Sequence, residues 1–215
     1  TNFIESIQND NAIIENYSLN VSGGTKEVNL NFNTTYFNQN GVLKGSGFNR
    51  LANRLTAQYK KGKFKMFTSL GFNTETRDRE PFNIYEQAIK QMPYGRPLSD
   101  PSDITIIDGD GDGIVSVFAS LFGNTNKTER KRANLALNLE YEILKGLTYK
   151  VNLGQNNLNS FQKRFFPRFL SFNSQGEINA SSVLNARLLE DHITSKRQSI
   201  ENILNYNTTF GSKKQ

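Results

Sequence analysis

The sequence predicts an all-β chain, an antiparallel transmembrane β-barrel segment, and three observations predict it. Apolar and polar residues alternate along seven separate stretches, the links between them are in turn short and long, and aromatic residues flank the short links. Successive side chains of a strand point to opposite faces, so each alternating stretch is a ribbon with one apolar and one polar side. Short turns at one end and long loops at the other are the pattern of outer-membrane barrels.

The first stretch runs from Asn16 to Ser22, with Tyr17, Leu19 and Val21 on one face. Gly23, Gly24, Thr25 and Lys26 are expected to turn the chain, glycine supplying the positive φ that tight turns need. The second stretch covers Glu27 to Phe37, where Val28, Leu30 and Phe32 alternate with Asn29, Asn31 and Asn33. A longer polar link, Asn38 to Asn49, leads to the third, which sets Leu51, Leu55, Ala57 and Tyr59 against Arg50, Arg54, Gln58 and Lys60. Lys61 and Gly62 turn it into the fourth, with Phe64, Met66, Thr68, Leu70 and Phe72 on one face and Lys65, Ser69 and Asn73 on the other.

A very long link, Thr74 to Thr128, follows and is expected to hold one short helix over Ile84 to Gln91, ended by Pro93. The fifth stretch interleaves Leu135, Leu137, Leu139, Tyr141 and Ile143 with Asn134, Asn138, Glu140 and Glu142. Lys145 and Gly146 turn it into the sixth, where Leu147, Tyr149, Val151 and Leu153 alternate with Lys150 and Asn152. A second long link, Gln155 to Ser195, precedes the seventh, whose apolar face carries Leu204, Tyr206, Thr208 and Phe210. Tyr59 and Phe64 flank one short turn and Tyr141 and Tyr149 another, where an interfacial girdle needs them.

Bulk properties fit this class. Hydrophobic residues make up 36% of the 215 and the mean hydropathy is -0.58. No run approaches the ~20 apolar residues that a membrane helix needs, whereas a barrel strand spends only every second residue on lipid. The chain has no cysteine, which excludes a disulfide scaffold and a cysteine-based metal site. No basic segment followed by an apolar core begins at Thr1, and an outer-membrane protein needs such a leader, so the N-terminus is expected to lie upstream. The net charge is +6, but the basic residues are spread over turns and polar faces without a compact motif, so no nucleic-acid partner is expected.

Seven strands do not close a barrel, since bacterial single-chain barrels have even counts from ~8 upward and an open edge in lipid leaves costly unpaired N–H and C=O groups. Residues 1–215 are therefore expected to be one partial barrel, completed by strands outside it.

Asn16 to Arg50, NYSLNVSGGTKEVNLNFNTTYFNQNGVLKGSGFNR, resembles the barrel of SusC/RagA-family TonB-dependent outer-membrane receptors. The matching positions are Asn16, Ser22, Gly23, Gly24, Tyr36, Gly41, Gly45 and Arg50; upstream, TNFIESI resembles a family segment, with Phe3 where tryptophan is usual. Leu139 to Gly154 is similar to a strand–turn–strand of the family, and Asn202, Leu204, Asn205 and Tyr206 to its N-x-L-x-Y strand. The resemblance implies a parent barrel of roughly 22 strands with an N-terminal plug. It also implies import of oligosaccharides or peptides, a SusD-like surface lipoprotein as partner, and TonB acting through the missing N-terminal region. The plug and signal peptide lie outside these residues.

Two loops carry candidate sites. Asp108, Asp110 and Asp112 spell D-x-D-x-D-G with Gly113, the opening of a calcium loop, because alternate carboxylates around glycines can wrap a hard cation. The acid expected twelve positions along is Ala119, and a solvated acidic loop tip is the competing reading; no other cofactor is expected. Phe161, Lys163, Arg164, Phe165, Phe166, Arg168 and Phe169 form an aromatic and basic cluster in the second long link. Phe165, Phe166 and Arg168 are candidates for substrate or partner contact, set against plain packing over the barrel mouth.

Enzymatic chemistry has little support. The one histidine, His192, follows Glu190 and Asp191 in a polar stretch and reads as solvated, and no nucleophile elbow, P-loop or dinucleotide motif appears. Asn20, Asn29, Asn31, Arg54, Lys65, Asn134, Asn138, Glu140 and Asn152 are expected to face the lumen. Val28, Leu30, Phe32, Leu55, Leu70, Leu137 and Val151 are expected to face outer-membrane lipid. Two alternatives stand beside transport: a soluble all-β module that grips a glycan or protein with its loops, and an outer-membrane enzyme barrel.

Overall fold

The computed structural model describes residues 3–81, 83–90, 106–107, 121, 123–168, 171–172, 177–178 and 184–208. Its dominant element is one seven-stranded antiparallel sheet. The strands are β1 (Ile14–Gly24), β2 (Val28–Asn40), β3 (Gly47–Lys61), β4 (Phe64–Asp78), β6 (Thr125–Leu144), β7 (Leu147–Phe166) and β9 (Arg187–Tyr206), each paired with the next in that order. A two-residue parallel pair, β5 (Ile106–Ile107) with β8 (Ser171–Phe172), lies in the long links with helix α2 (Ile84–Lys90), while helix α1 (Phe3–Ser6) precedes β1. Among the described residues no helix is long and apolar enough to cross a membrane.

All seven predicted strands are present, and the helix falls where it is expected. The strands are longer than the alternation suggests: β6, β7 and β9 each run 20 residues. The link between β2 and β3 shrinks to a compact turn, in which Gly41 N–H donates to Ser46 O at 3.0 Å and Gly45 takes φ 76°. Only the links after β4 and after β7 are long.

The first turn also differs from expectation. Gly23 and Gly24 end β1 without positive φ, and Thr25 closes the corner. Its N–H donates to Val28 O at 2.7 Å, and its Oγ1 accepts from Glu27 N–H and Val28 N–H at 3.3 and 3.2 Å. Gly24 is needed for a close approach instead, because a Cβ there would run into Val28 O. The other two short turns do use left-handed glycine, at Gly62 (φ 56°) and Gly146 (φ 85°).

Register sorts the side chains. Val21 faces Phe32, Phe32 faces Leu55, Leu55 faces Leu70, Leu70 faces Leu135, and Leu137 faces Leu153, so one side of the sheet is a continuous apolar surface. These side chains are not packed against a second layer: Val21, Leu55 and Leu70 are 54%, 40% and 47% exposed. A sheet in water buries its apolar face; this one leaves it open.

The buried core among the described residues lies elsewhere. Ile7, Ile84, Ala88 and Leu121, with Ile4 and Leu43 against them, form a small cluster at the long-link end. Backbone bonds from Lys44 N–H to Ile7 O and from Asn9 N–H to Val42 O, both 2.8 Å, fasten the N-terminal segment to the β2–β3 turn. Asn9 Nδ2 donates to Gly41 O at 2.7 Å and Lys44 Nζ to Ser6 O at 2.9 Å.

Candidate functional site: the concave polar face

The apolar face has the proportions of a membrane band. On β2 it spans Val28 to Tyr36, on β4 Phe64 to Phe72 and on β6 Leu135 to Ile143, each close to the ~9–11 residues that cross a bilayer in a tilted strand. Aromatics mark both borders. At the short-turn border stand Tyr59 and Phe64, ring centroids 6.0 Å apart, then Tyr141, Tyr149 and Tyr206. At the far border Tyr17 stacks on Tyr36 at 6.3 Å. Amphipathic rings belong at such an interface.

Beyond that border the strands continue without a continuous apolar face: polar residues dominate both sides, broken by single residues such as Phe161 and Phe165 outside and Leu158 and Ile193 inside. Lys131, Asn157 and Lys196 succeed Leu135, Gln155 and Gln198 on the outward side of β6, β7 and β9. Roughly ten residues of each, about 30 Å of paired strand at ~3.3 Å per residue, stand clear of the apolar band.

The opposite face is concave: a trough of about 590 Å³ opens on its short-turn half, lined by Gln58, Lys65, Phe67, Asn138, Glu140, Lys150 and Asn152. All the residues expected to face a lumen lie on this side. Glu140 bridges two strands here, its Oε1 2.7 Å from Lys65 Nζ and its Oε2 2.9 Å from Lys150 Nζ. Amide side chains link further strands, as in Asn31 Nδ2 to Asn20 Oδ1 at 2.9 Å and Asn152 Nδ2 to Glu201 Oε2 at 3.3 Å. Of the paired carboxylates, Glu140 is thus held by two lysines in this polar wall, and Glu142 stands opposite Thr148.

The long-link half of the same face is different. Its basic groups are arginines: Arg50 and Arg54 on β3, Arg77 on β4, Arg130 and Arg132 on β6, Arg164 on β7, Arg187 and Arg197 on β9. These are all the arginines in the seven strands, and every one points to the concave side. The lysines at that height, Lys127, Lys131, Lys163 and Lys196, all point outward. Periodicity alone does not show this sorting, because beyond the apolar band apolar residues fall on both faces and the phase has nothing to register against.

No family model matches the chain. A TonB-dependent receptor of Formosa agariphila (strain DSM 15362 / KCTC 12365 / LMG 23005 / KMM 3901 / M-2Alg 35-1) is 26% identical over 206 residues, 91% of this chain and 18% of that protein. A solved structure of the RagAB peptide transporter superposes with TM-score 0.72 at 16% identity, covering 98% of this chain and 24% of that one. The chain shares the fold of a segment of that transporter. A RagAB peptide importer in an open-open state gives the same fold to this segment, with TM-score 0.69 and 17% identity over 95% of this chain and 23% of that one. The chain thus spans about a fifth to a quarter of the length of the relatives it matches.

The loop candidates fare differently. Asp108, Asp110 and Asp112 lie outside the described residues. Phe165 and Phe166, expected in a loop, end strand β7 and point to opposite faces, which divides the aromatic cluster. Phe166 is on the concave side with Arg187 over its ring at 4.9 Å, and Arg168 follows, exposed, just past the strand. His192, also expected in a loop, stands on the outward face of β9, edge-on to Phe161 at 6.1 Å.

Proposed function

We propose that the chain forms one sector of the wall of an outer-membrane, TonB-dependent importer, working with a SusD-like surface lipoprotein on oligosaccharides or peptides. The observation that carries this reading is the two-sided sheet: an exposed apolar band bordered by aromatics outside, and a continuous, concave polar surface inside. The short turns face the periplasm and the long links the exterior, as in barrels generally. Further strands complete the ring, because edges β1 and β9 would otherwise expose unpaired backbone groups to hydrocarbon. The residues conduct rather than react; no catalytic step is assigned to them.

Uptake tests the reading. Cells producing the receptor that contains this sector accumulate a labelled oligomer when TonB is present and lose that accumulation without it. Equal accumulation with and without TonB overturns energised import. A soluble binding module is disfavoured by the exposed apolar band, since tens of such side chains in water drive association. A preparation that stays monodisperse without detergent would restore that alternative.

A further inference from the structure

We propose that the long-link half of the concave face is an anion-capture surface, which binds the carboxylate groups of an incoming oligomer through inward arginines. The inference rests on the import reading and names the chemistry of what that reading admits.

The sorting is the first observation. At the same height on the same strands, arginine points inward at every occurrence and lysine outward at every occurrence. A face that needed only charge for solubility would carry either residue. Arginine differs in presenting a planar, weakly hydrated fork that grips a carboxylate with two parallel hydrogen bonds, whereas lysine is a strongly hydrated point charge.

The second observation is the shortage of acids. Among the described residues two carboxylates face this half of the sheet, and each is taken: Glu75 by Arg130 at 3.4 Å and Asp191 by Arg164 at 2.9 Å. Among the described residues Arg54, Arg77, Arg132 and Arg197 have no acidic partner, and their side chains are exposed or half-buried on the open face. Placed on several neighbouring strands, they sum to a positive field over the mouth side of the trough. On the short-turn half the balance changes: Lys60, Lys65 and Lys150 there meet Glu140, Glu142 and Glu201. A solute that binds above meets a neutralised wall below, which favours release inward.

Third, the surroundings suit an oligomer rather than a free ion. Asn156 donates to Asn134 between Arg54 and Arg197 in one cross-strand row, and Gln162 donates to Asn126 at 3.1 Å a few rows above. Such amides offer donors and acceptors to the uncharged parts of a chain whose acids the arginines hold.

Titration of the complete detergent-solubilised receptor tests this, using hexaglutamate and hexagalacturonate as probes, with hexaglycine and maltohexaose as their neutral counterparts. The acidic probes are expected to bind at least tenfold more tightly than the neutral ones, and the advantage shrinks in high salt. Arg132→Gln with Arg197→Gln removes that advantage, whereas Lys131→Gln with Lys196→Gln, which deletes the same charge from the outward face, keeps it within about twofold. Whichever acid binds more tightly identifies the carboxylate's source as peptide or sugar. Equal loss in both double variants, or equal affinity for neutral and acidic probes, overturns the proposal. If the first variant does not assemble, Arg54→Gln with Arg77→Gln makes the same test. Uptake separates the two readings: acidic oligomers bound but not imported defeat import alone, while neutral and acidic oligomers imported at equal rates defeat the arginine surface alone.

Discussion

Leu137 and Leu153 face each other across β6 and β7, and their chain neighbours Asn138 and Asn152 do the same on the other side of the sheet. A difference of one residue therefore separates lipid from lumen. Leu137→Arg should reduce assembly into the membrane sharply, because a cation on the lipid face near midplane costs ~2–4 kcal/mol. Asn138→Arg, on the concave face, should assemble almost as well as the parent. Heat-modifiable electrophoresis of outer-membrane fractions measures both, and equal yields would refute the assignment of faces.

The two left-handed glycine turns should respond unequally to alanine. Gly62 has open space where a Cβ would go, so Gly62→Ala costs only the backbone strain, about 1 kcal/mol. Gly146→Ala adds a collision with Asn207 O to the same strain. The expected result is a larger fall in the urea midpoint for Gly146→Ala than for Gly62→Ala. A reversed order would show that turn strain, not the approach of the segment after β9, governs this corner.

Glu140 holds Lys65 and Lys150 together from the middle strand of three. Glu140→Gln leaves two ammonium groups near each other with no anion between them. We expect a lower unfolding temperature at low ionic strength and a gap to the parent that narrows in 1 M salt, where charges are screened over ~3 Å. A gap unchanged by salt would mean that packing, not charge, accounts for the loss.

Ile84 is 2% exposed in the small cluster that ties α2 to the N-terminal segment. Ile84→Ala should cost about 2–5 kcal/mol within that cluster. Since the cluster sits apart from the sheet's apolar face, the damage should be local: faster amide exchange in residues 3–9 and 84–90, with exchange in β6 and β7 unchanged. Uniform loss of protection across the strands would make the cluster part of the wall's own stability.

Much of the wall is legible in the sequence, for one physical reason. Where lipid meets one face and water the other, alternation is obligatory, so Leu135 to Ile143 and Phe64 to Phe72 declare both their conformation and their facing. The same reason explains where reading stops. Past Leu135 on β6 and Leu153 on β7, both faces meet water, period-two contrast fades, and strand residues such as Lys127, Gln162 and His192 read as loop. The rest of the arginine sorting is hidden with them; Arg50 and Arg54, beside the apolar band, are the members that periodicity orients. The turn at Thr25 was misplaced because two adjacent glycines suggest a corner, while the close approach of Val28 O to Gly24 is a tertiary fact. The cluster of Ile7, Leu43, Ile84 and Leu121 draws single residues from distant segments, which no local pattern announces.

The long strands β6, β7 and β9 have a consequence for access. Where they rise past the greasy belt they form a stiff parapet, laced by ladder hydrogen bonds, rather than a fringe of supple loops. A visitor from outside meets this rim, with its forked cations turned to the shaft, well before it reaches the level of the bilayer. Selection can therefore happen at a rigid doorway, leaving the longer links free to vary in sequence without disturbing it.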